Sequence, residues 1–335
     1  MRSSVGRIAE TLVTTHTGLA LCYFELLKDT CLCLNLHRIK YHSNQQLPLT
    51  LVYRPPRSQQ SNIPWTHWSH SSTYSASLRL PKQAIMGSSA PSDVLIEVIT
   101  QPEDFHQAAE VAINAFGHQV HDGVYIAMTP GWDTPEGVAA SGERLAKRWR
   151  SVSKDVNGRP NTIFLKATVP DPENSAQRRI AGLAIWMQAS AVEGHGEPQP
   201  TDLKKALGLE SLYPGNEAEQ RYLAQCIASL QKQRAEVIKQ TATKSPPAVF
   251  VLDLCAVDPK FQGRGAAKKL VQWGLEEAQR RGGIECILEG SAMGRHVYSK
   301  LGFKQEGPEI EYVVDEEFAN RDRPSNIFMR TGNSQ

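Results

Sequence analysis

The chain has 335 residues, of which 40% are hydrophobic and 21% charged, with a formal net charge of +2. Such a length holds one large domain or two ordinary ones, the composition argues against a wholly disordered protein, and no basic excess points to nucleic acid as a partner. The charge is uneven: residues 1–90 carry 9 Lys and Arg against 3 Asp and Glu, leaving 28 against 32 for the remainder.

Residues 1–90 read poorly as a domain. From Asn44 to Ala90 the chain is rich in Ser, Pro, Gln and His, a composition that buries too little apolar surface to offset chain entropy. Arg2, Arg7 and the scattered Ser and Thr resemble a transit peptide, but Glu10 and the lack of an Arg-rich amphipathic face oppose that reading. The expectation is a poorly structured extension, with the working protein beginning near Met86. The six cysteines include no CxxC pair, which fits a reduced, intracellular and cytoplasmic setting and gives no zinc-finger spacing; no metal is expected. Leu19–Leu36, the stretch nearest to a membrane span, is broken by Glu25, Lys28, Asp29 and Thr30, so no membrane partner is expected either.

Regular patterning starts at Val94. Val94–Ile99 reads as a strand, and Pro102-Glu103-Asp104 opens a helix through Phe116 with Ala108, Val111, Ala112 and Ala115 on one face. His118–Pro135 reads as loop, Gly137–Val152 as helix, and Thr162–Thr168 with Ile180–Gln188 as a hairpin around Pro170–Asn174. After the polar stretch Ala191–Thr201, Asn216 and Glu219 start a helix to about Lys239 in a capping-box pattern. Ala248–Val257 is almost continuously apolar, as in a central strand covered on both faces. A helix over Gly265–Arg281, a strand at Glu285–Glu289, a helix over Ala292–Leu301 and a last strand at Ile310–Val314 complete the order. The strand–turn–helix–strand unit across 248–289 implies a parallel crossover.

The most informative segment runs from Cys255 to Lys268. A buried strand ends, a short turn with Gly263 and Gly265 follows, and a helix begins. The first backbone N–H groups of a helix have no partner inside it, and the helix dipole adds positive charge there. Small residues at 263, 265, 266 and 267 let an anion reach that backbone, so the turn suits a phosphate or pyrophosphate. It is neither a Walker loop nor a complete GxGxxG fingerprint.

Gln262, Gly265 and Ala267 satisfy Q/R-x-x-G-x-G/A, which resembles the pyrophosphate loop of the GNAT superfamily of acetyl-CoA-dependent N-acetyltransferases. Tyr298, 33 residues after Gly265 in Val297-Tyr298-Ser299-Lys300-Leu301-Gly302-Phe303, resembles the second signature of that superfamily. The resemblance covers about 93–332, with a helical insert at about 190–245. It implies an α/β fold with a central mixed sheet whose parallel strands splay apart, flanked by helices.

The same resemblance implies acetyl-CoA as cosubstrate, an amine-bearing acceptor and direct acetyl transfer. The pantetheine arm would lie along Cys255, Ala256 and Val257, an N–H near Val257 would face the thioester carbonyl, and the diphosphate would rest on the amides of Gly263–Lys268. Arg264 and Lys268 add charge there. Many relatives carry an Asn where this chain has Glu289-Gly290-Ser291-Ala292, so the resemblance implies a cofactor hydrogen bond that is either missing or moved to Ser291. Tyr298 is the candidate general acid, and Asp253 and Glu289 are candidates for taking the amine proton, each with a salt-bridged structural role as its alternative. Trp132 is expected on the acceptor side. A covalent acyl-Cys255 is disfavoured, since no His stands near it and a Cys in an apolar strand is usually inert. The competing readings are a non-catalytic acyl-CoA-binding or interaction module, and a nucleotide-binding regulator. The acidic balance of the second part favours a cationic acceptor, while the acceptor itself and the oligomeric state are left open.

Overall fold

The computed structural model describes residues 93–332; the expected amino-terminal extension and the start near Met86 lie outside the described residues. Seven strands form one sheet: β1 (Leu95–Val98), β2 (Thr162–Pro170), β3 (Arg178–Ala189), β4 (Val249–Val257), β5 (Glu285–Ser291), β6 (Lys304–Glu309) and β7 (Asn326–Arg330). They lie in the order β1-β2-β3-β4-β5-β7-β6. All neighbours are antiparallel except β4 and β5, which pair in parallel. The sheet is therefore mixed, as the crossover pattern implied.

Helices cover both faces. On one lie α1 (Asp104–Ala112) and α3 (Pro135–Arg150), burying Phe105, Ala108 and Val111 against Phe164 and Ile185. The chain leaves α1 as a π-helical turn (Ile113–Gln119) and then forms α2 (Gly123–Met128). On the opposite face the crossover helix α8 (Ala266–Arg280) packs Leu270, Val271 and Ala278 against Trp186 and Phe250, whose rings stack with centroids 5.0 Å apart. The approach is close because residue 274 is glycine: a Cβ there would sit 1.9 Å from Trp186 Cε2. The indole Nε1 donates to Leu270 O at 3.3 Å. Between β3 and β4 come α4 (Leu203–Ala206), α5 (Leu209–Leu212), α6 (Glu217–Leu230) and α7 (Lys232–Thr241), and α9 (Arg295–Lys300) follows β5.

Three expectations need correction. His118–Pro135 is not all loop, because Asp122 caps α2 by accepting from Tyr125 N at 2.9 Å. The helix expected over 216–239 is two, parted at Gln231. The strand expected at Ile310–Val314 is absent: those residues have no regular pairing, while Tyr312 and Val314 turn inward onto the α2–α6 cluster. The strands that close the sheet are β6 and β7. β6 is an exposed edge with sequence KQEGPE, which offers no apolar alternation to read.

Two details of β4 shape the site. Its pairing with β3 shifts register between Ile185 and Trp186, leaving Asp253 as an extra residue. Such a bulge bends its strand. Its pairing with β5 runs only from Val249↔Glu285 to Leu252↔Leu288. Beyond that point the two parallel strands part.

Candidate active site

A cleft of about 780 Å³ opens where β4 and β5 separate. It is lined by Cys255, Ala256 and Val257 of β4, the turn at Gln262, Gly263 and Gly265, the first residues of α8 (Ala266, Ala267, Lys268), Ser291 of β5 and Tyr298 of α9. These are the residues that the sequence assigned to the cofactor, with the exception of Arg264. Its guanidinium pairs with Asp93 at 3.0 Å and lies 5.6 Å from the centre of the Phe261 ring.

The turn owes its shape to backbone freedom. Gly263 and Gly265 have φ of +80° and +83°, and a Cβ on either would meet open space. Conformation, not crowding, is what demands glycine there. No side chain caps α8, and the first helical hydrogen bond is donated by Lys269 N to Gly265 O at 3.1 Å. The amides just before it face the cleft with no helical acceptor. Bracing comes from the end of β4 and from the π-helical turn: Gln262 Nε2 donates to Val257 O at 3.0 Å and to Gln119 Oε1 at 2.8 Å, and Asn114 Nδ2 donates to Asp258 at 2.7 Å.

Tyr298 is buried, and its ring rests on two glycines. A Cβ at Gly290 would be 3.4 Å from Tyr298 Cδ2, and one at Gly294 would be 2.7 Å from Cε2. Its hydroxyl lies beside the Cys255 thiol across the gap between the strands. Burial first, and then the neighbouring sulfur, pushes the Tyr298 hydroxyl well above its ordinary value of 10.0. Burial also lifts the Cys255 thiol to about 12. At neutral pH both groups keep their protons, and a protonated thiol is a poor nucleophile.

Asp253 and Glu289 do not stand free in the cleft. Asp253 accepts from Arg148 Nη2 at 2.9 Å and from Arg234 Nη1 at 2.8 Å, and Glu289 accepts from Arg234 Nε at 3.1 Å and from Arg234 Nη2. Burial alone would raise the Asp253 carboxyl, but the charges of Arg148 and Arg234 outweigh it and hold the group well below the usual carboxylate range. Neither carboxylate lines the cleft. Trp132 lies outside it too: it packs against Gly117, where a Cβ would be 2.5 Å from its Cε3, and its ring centroid lies 4.8 Å from that of His118.

The sequence missed the wall formed by the π-helical turn and the start of α2, where Phe116, Val120, His121 and Asp122 line the cleft. His121 has φ +53°, a left-handed conformation rare for a side chain of its size. Burial pushes the Asp122 carboxyl upward, against the lowering effect of hydrogen bonds from the Tyr125 and Val124 amides. The Asp122-Gly123 pair ahead of a short apolar run was the available signal, as an N-cap.

Residues 213–312 match a family model described as acetyltransferase (GNAT) domain. Over that stretch, which is under a third of its length, the chain is similar to the GNAT acetyltransferases. The matched stretch runs from the end of α5 to the segment after β6, and so takes in β4, the glycine turn, α8, β5 and Tyr298. Among solved structures, the chain is similar to arylalkylamine N-acetyltransferase 2 from Aedes aegypti (20% identity over 71% of this chain and 98% of that one, TM-score 0.45). It is also similar to a Drosophila melanogaster polyamine N-acetyltransferase (13% identity, 71% and 98%, TM-score 0.46) and to PaiA N-acetyltransferase from Thermoplasma acidophilum in complex with coenzyme A (15% identity, 71% and 97%, TM-score 0.33). No curated protein matches the chain. Among the described residues no helix is long and apolar enough to cross a membrane.

Proposed function

We propose that residues 93–332 form a catalytic domain that transfers the acetyl group of acetyl-CoA directly to a primary amine. One observation carries this reading: the uncapped start of α8 and the protonated Tyr298 hydroxyl line the same cleft. The fit to the cosubstrate rests on the turn itself, where positive-φ glycines turn backbone amides toward an anion and Lys268 adds charge. When bound, acetyl-CoA supplies an acyl group activated as a thioester.

Residues of the chain then perform three tasks. The amides of 263–268 bind the diphosphate, and the parted edge of β4 at Cys255–Val257 receives the pantetheine arm. Tyr298 Oη, kept as a phenol by its burial, gives its proton to the departing sulfur. The third task is deprotonation of the acceptor. An alkyl amine with pKa of about 10.4 costs roughly 4–5 kcal/mol to neutralise at pH 7, so a proton acceptor in the cleft matters. Asp253 and Glu289 are committed to Arg148 and Arg234, whereas Asp122 lines the cleft and has a raised pKa. We assign that proton to Asp122, directly or through water.

Thiol release from acetyl-CoA against a panel of primary amines, with calorimetric titration of coenzyme A, tests the proposal. Tyr298→Phe is expected to lower turnover by about 10²-fold or more with little change in coenzyme A affinity. A purified protein that ignores coenzyme A, or full turnover in the Tyr298→Phe variant, would overturn the reading.

A further inference from the structure

The last residues paired between β4 and β5 are Leu252 and Leu288, and the next residue on each strand is acidic. Asp253 and Glu289 thus meet at the apex of the gap. Between them lies Arg234 of α7, with 4% of its side chain exposed, against 17% for Asp253 and 5% for Glu289. Its Nη1 donates to Asp253 Oδ1 at 2.8 Å, while Nε, at 3.1 Å, and Nη2 both donate to Glu289. Arg148 of α3 holds the second Asp253 oxygen at 2.9 Å. Two cations and two anions cancel.

A buried ion pair is weak evidence for stability, because the cost of desolvation offsets much of the attraction. What distinguishes this one is its location. Without a cation, two carboxylates would face each other where the strands separate. A planar guanidinium bridges them with fixed geometry, which a point charge on a flexible stem does not. Toward the mouth the gap is bridged a second time, where Tyr298, seated on Gly290 of β5, brings its hydroxyl beside Cys255 of β4 in the same cleft. The width set at the apex is therefore felt at the Tyr298 hydroxyl.

We propose that Arg234 is a positioning residue for acyl transfer: through Asp253 and Glu289 it fixes the separation of β4 and β5, and with it the distance from Tyr298 to the β4 edge. The inference rests on the acetyltransferase reading above. It makes the helical insert part of the active-site framework, although Arg234 touches no substrate.

Arg234→Lys keeps the charge and loses the fork, and Arg234→Met with Asp253→Asn and Glu289→Met replaces the three most buried charges by uncharged groups, leaving only the more exposed Arg148. Arg330→Met is the control, since Arg330 pairs with Glu285 at the other end of β5 (2.5 and 2.8 Å) and lies away from the cleft. The measurements are melting temperature, coenzyme A affinity, the kcat and KM of thiol release, and amide exchange over 253–257. Arg234→Lys should lower kcat by about 10–100-fold, the scale of an ångström-sized misplacement, with coenzyme A affinity little changed and faster exchange at 253–257. The triple variant should recover melting temperature and not kcat. Arg330→Met should lose as much melting temperature and keep kcat. Recovery of both properties in the triple variant, or an equal kcat loss in Arg330→Met, overturns the proposal. If the wild-type protein transfers acetyl to no amine, the functional reading fails, and exchange alone decides: unchanged exchange at 253–257 in Arg234→Lys overturns the positioning role, faster exchange sustains it.

Discussion

The turn ahead of α8 and the apex between β4 and β5 solve opposite problems at two ends of one cleft. At the turn the useful groups are backbone amides, and side chains are in the way; the chain supplies Gly263, Gly265, Ala266 and Ala267, which bring almost none. At the apex the backbone ladder has run out, and the chain supplies four charged side chains that saturate one another. On the proposed function, an anion site that must stay open to a ligand is built by omission, and a strand junction that must stay shut is built by mutual commitment. Damage to the first should cost binding, and damage to the second should cost the fold.

Glu289→Ala should break the apex hardest. It leaves the buried Arg234 with one partner, and removing one member of a buried ion cluster costs about 3–5 kcal/mol. Chemical denaturation should show that loss, while any protein that remains folded keeps its coenzyme A affinity. Gly265→Val sharpens the contrast from the other side. A branched residue forced to φ +83° stores about 1–3 kcal/mol of strain or abandons the conformation. Coenzyme A affinity should fall by roughly tenfold or more, a factor worth about 1.4 kcal/mol, with only a small drop in melting temperature. The smallest effect is on the acid side. The folded Asp253 carboxyl titrates below its ordinary value, so its stabilisation is complete above the unfolded pKa of about 3.9 and is lost as pH falls from there toward the folded value. Unfolding followed from pH 5 to pH 2 should show that loss, and Asp253→Asn should flatten it; identical curves would mean that the pairing with Arg148 and Arg234 is not made in solution.

The same contrast explains what the sequence revealed. The turn was legible because its chemistry is local: a run of small residues between an apolar strand and an amphipathic helix says what the backbone does there. Tyr298 was legible for the same reason, on a short helix ending in Leu301-Gly302-Phe303. The apex was not. Asp253 and Glu289 were found as candidates for taking the amine proton, but their partner is 19 residues from one and 55 from the other. A signal did exist: Arg234 shares a buried face with Val237, Ile238 and Thr241, and an arginine in an apolar row at helical spacing calls for a buried anion. The wall at 115–122 was missed because a π-helical turn breaks the 3.6-residue period on which such reading depends. β6 was missed because an exposed edge strand needs no apolar face, and the residues after it, which do alternate, spend their apolar side chains on the α2–α6 cluster instead.

The contact between Gly274 and Trp186 carries one more consequence. Helix α8 lies against the sheet with no room for a methyl group, and the indole donates to Leu270 O, four residues before that contact. The helix can neither slide nor roll without lifting off an aromatic stack. On the proposed function, its amino end meets an incoming diphosphate as a fixed anvil. Any movement that grips or releases the ligand belongs to the facing wall, where the backbone already departs from regular geometry at 113–121.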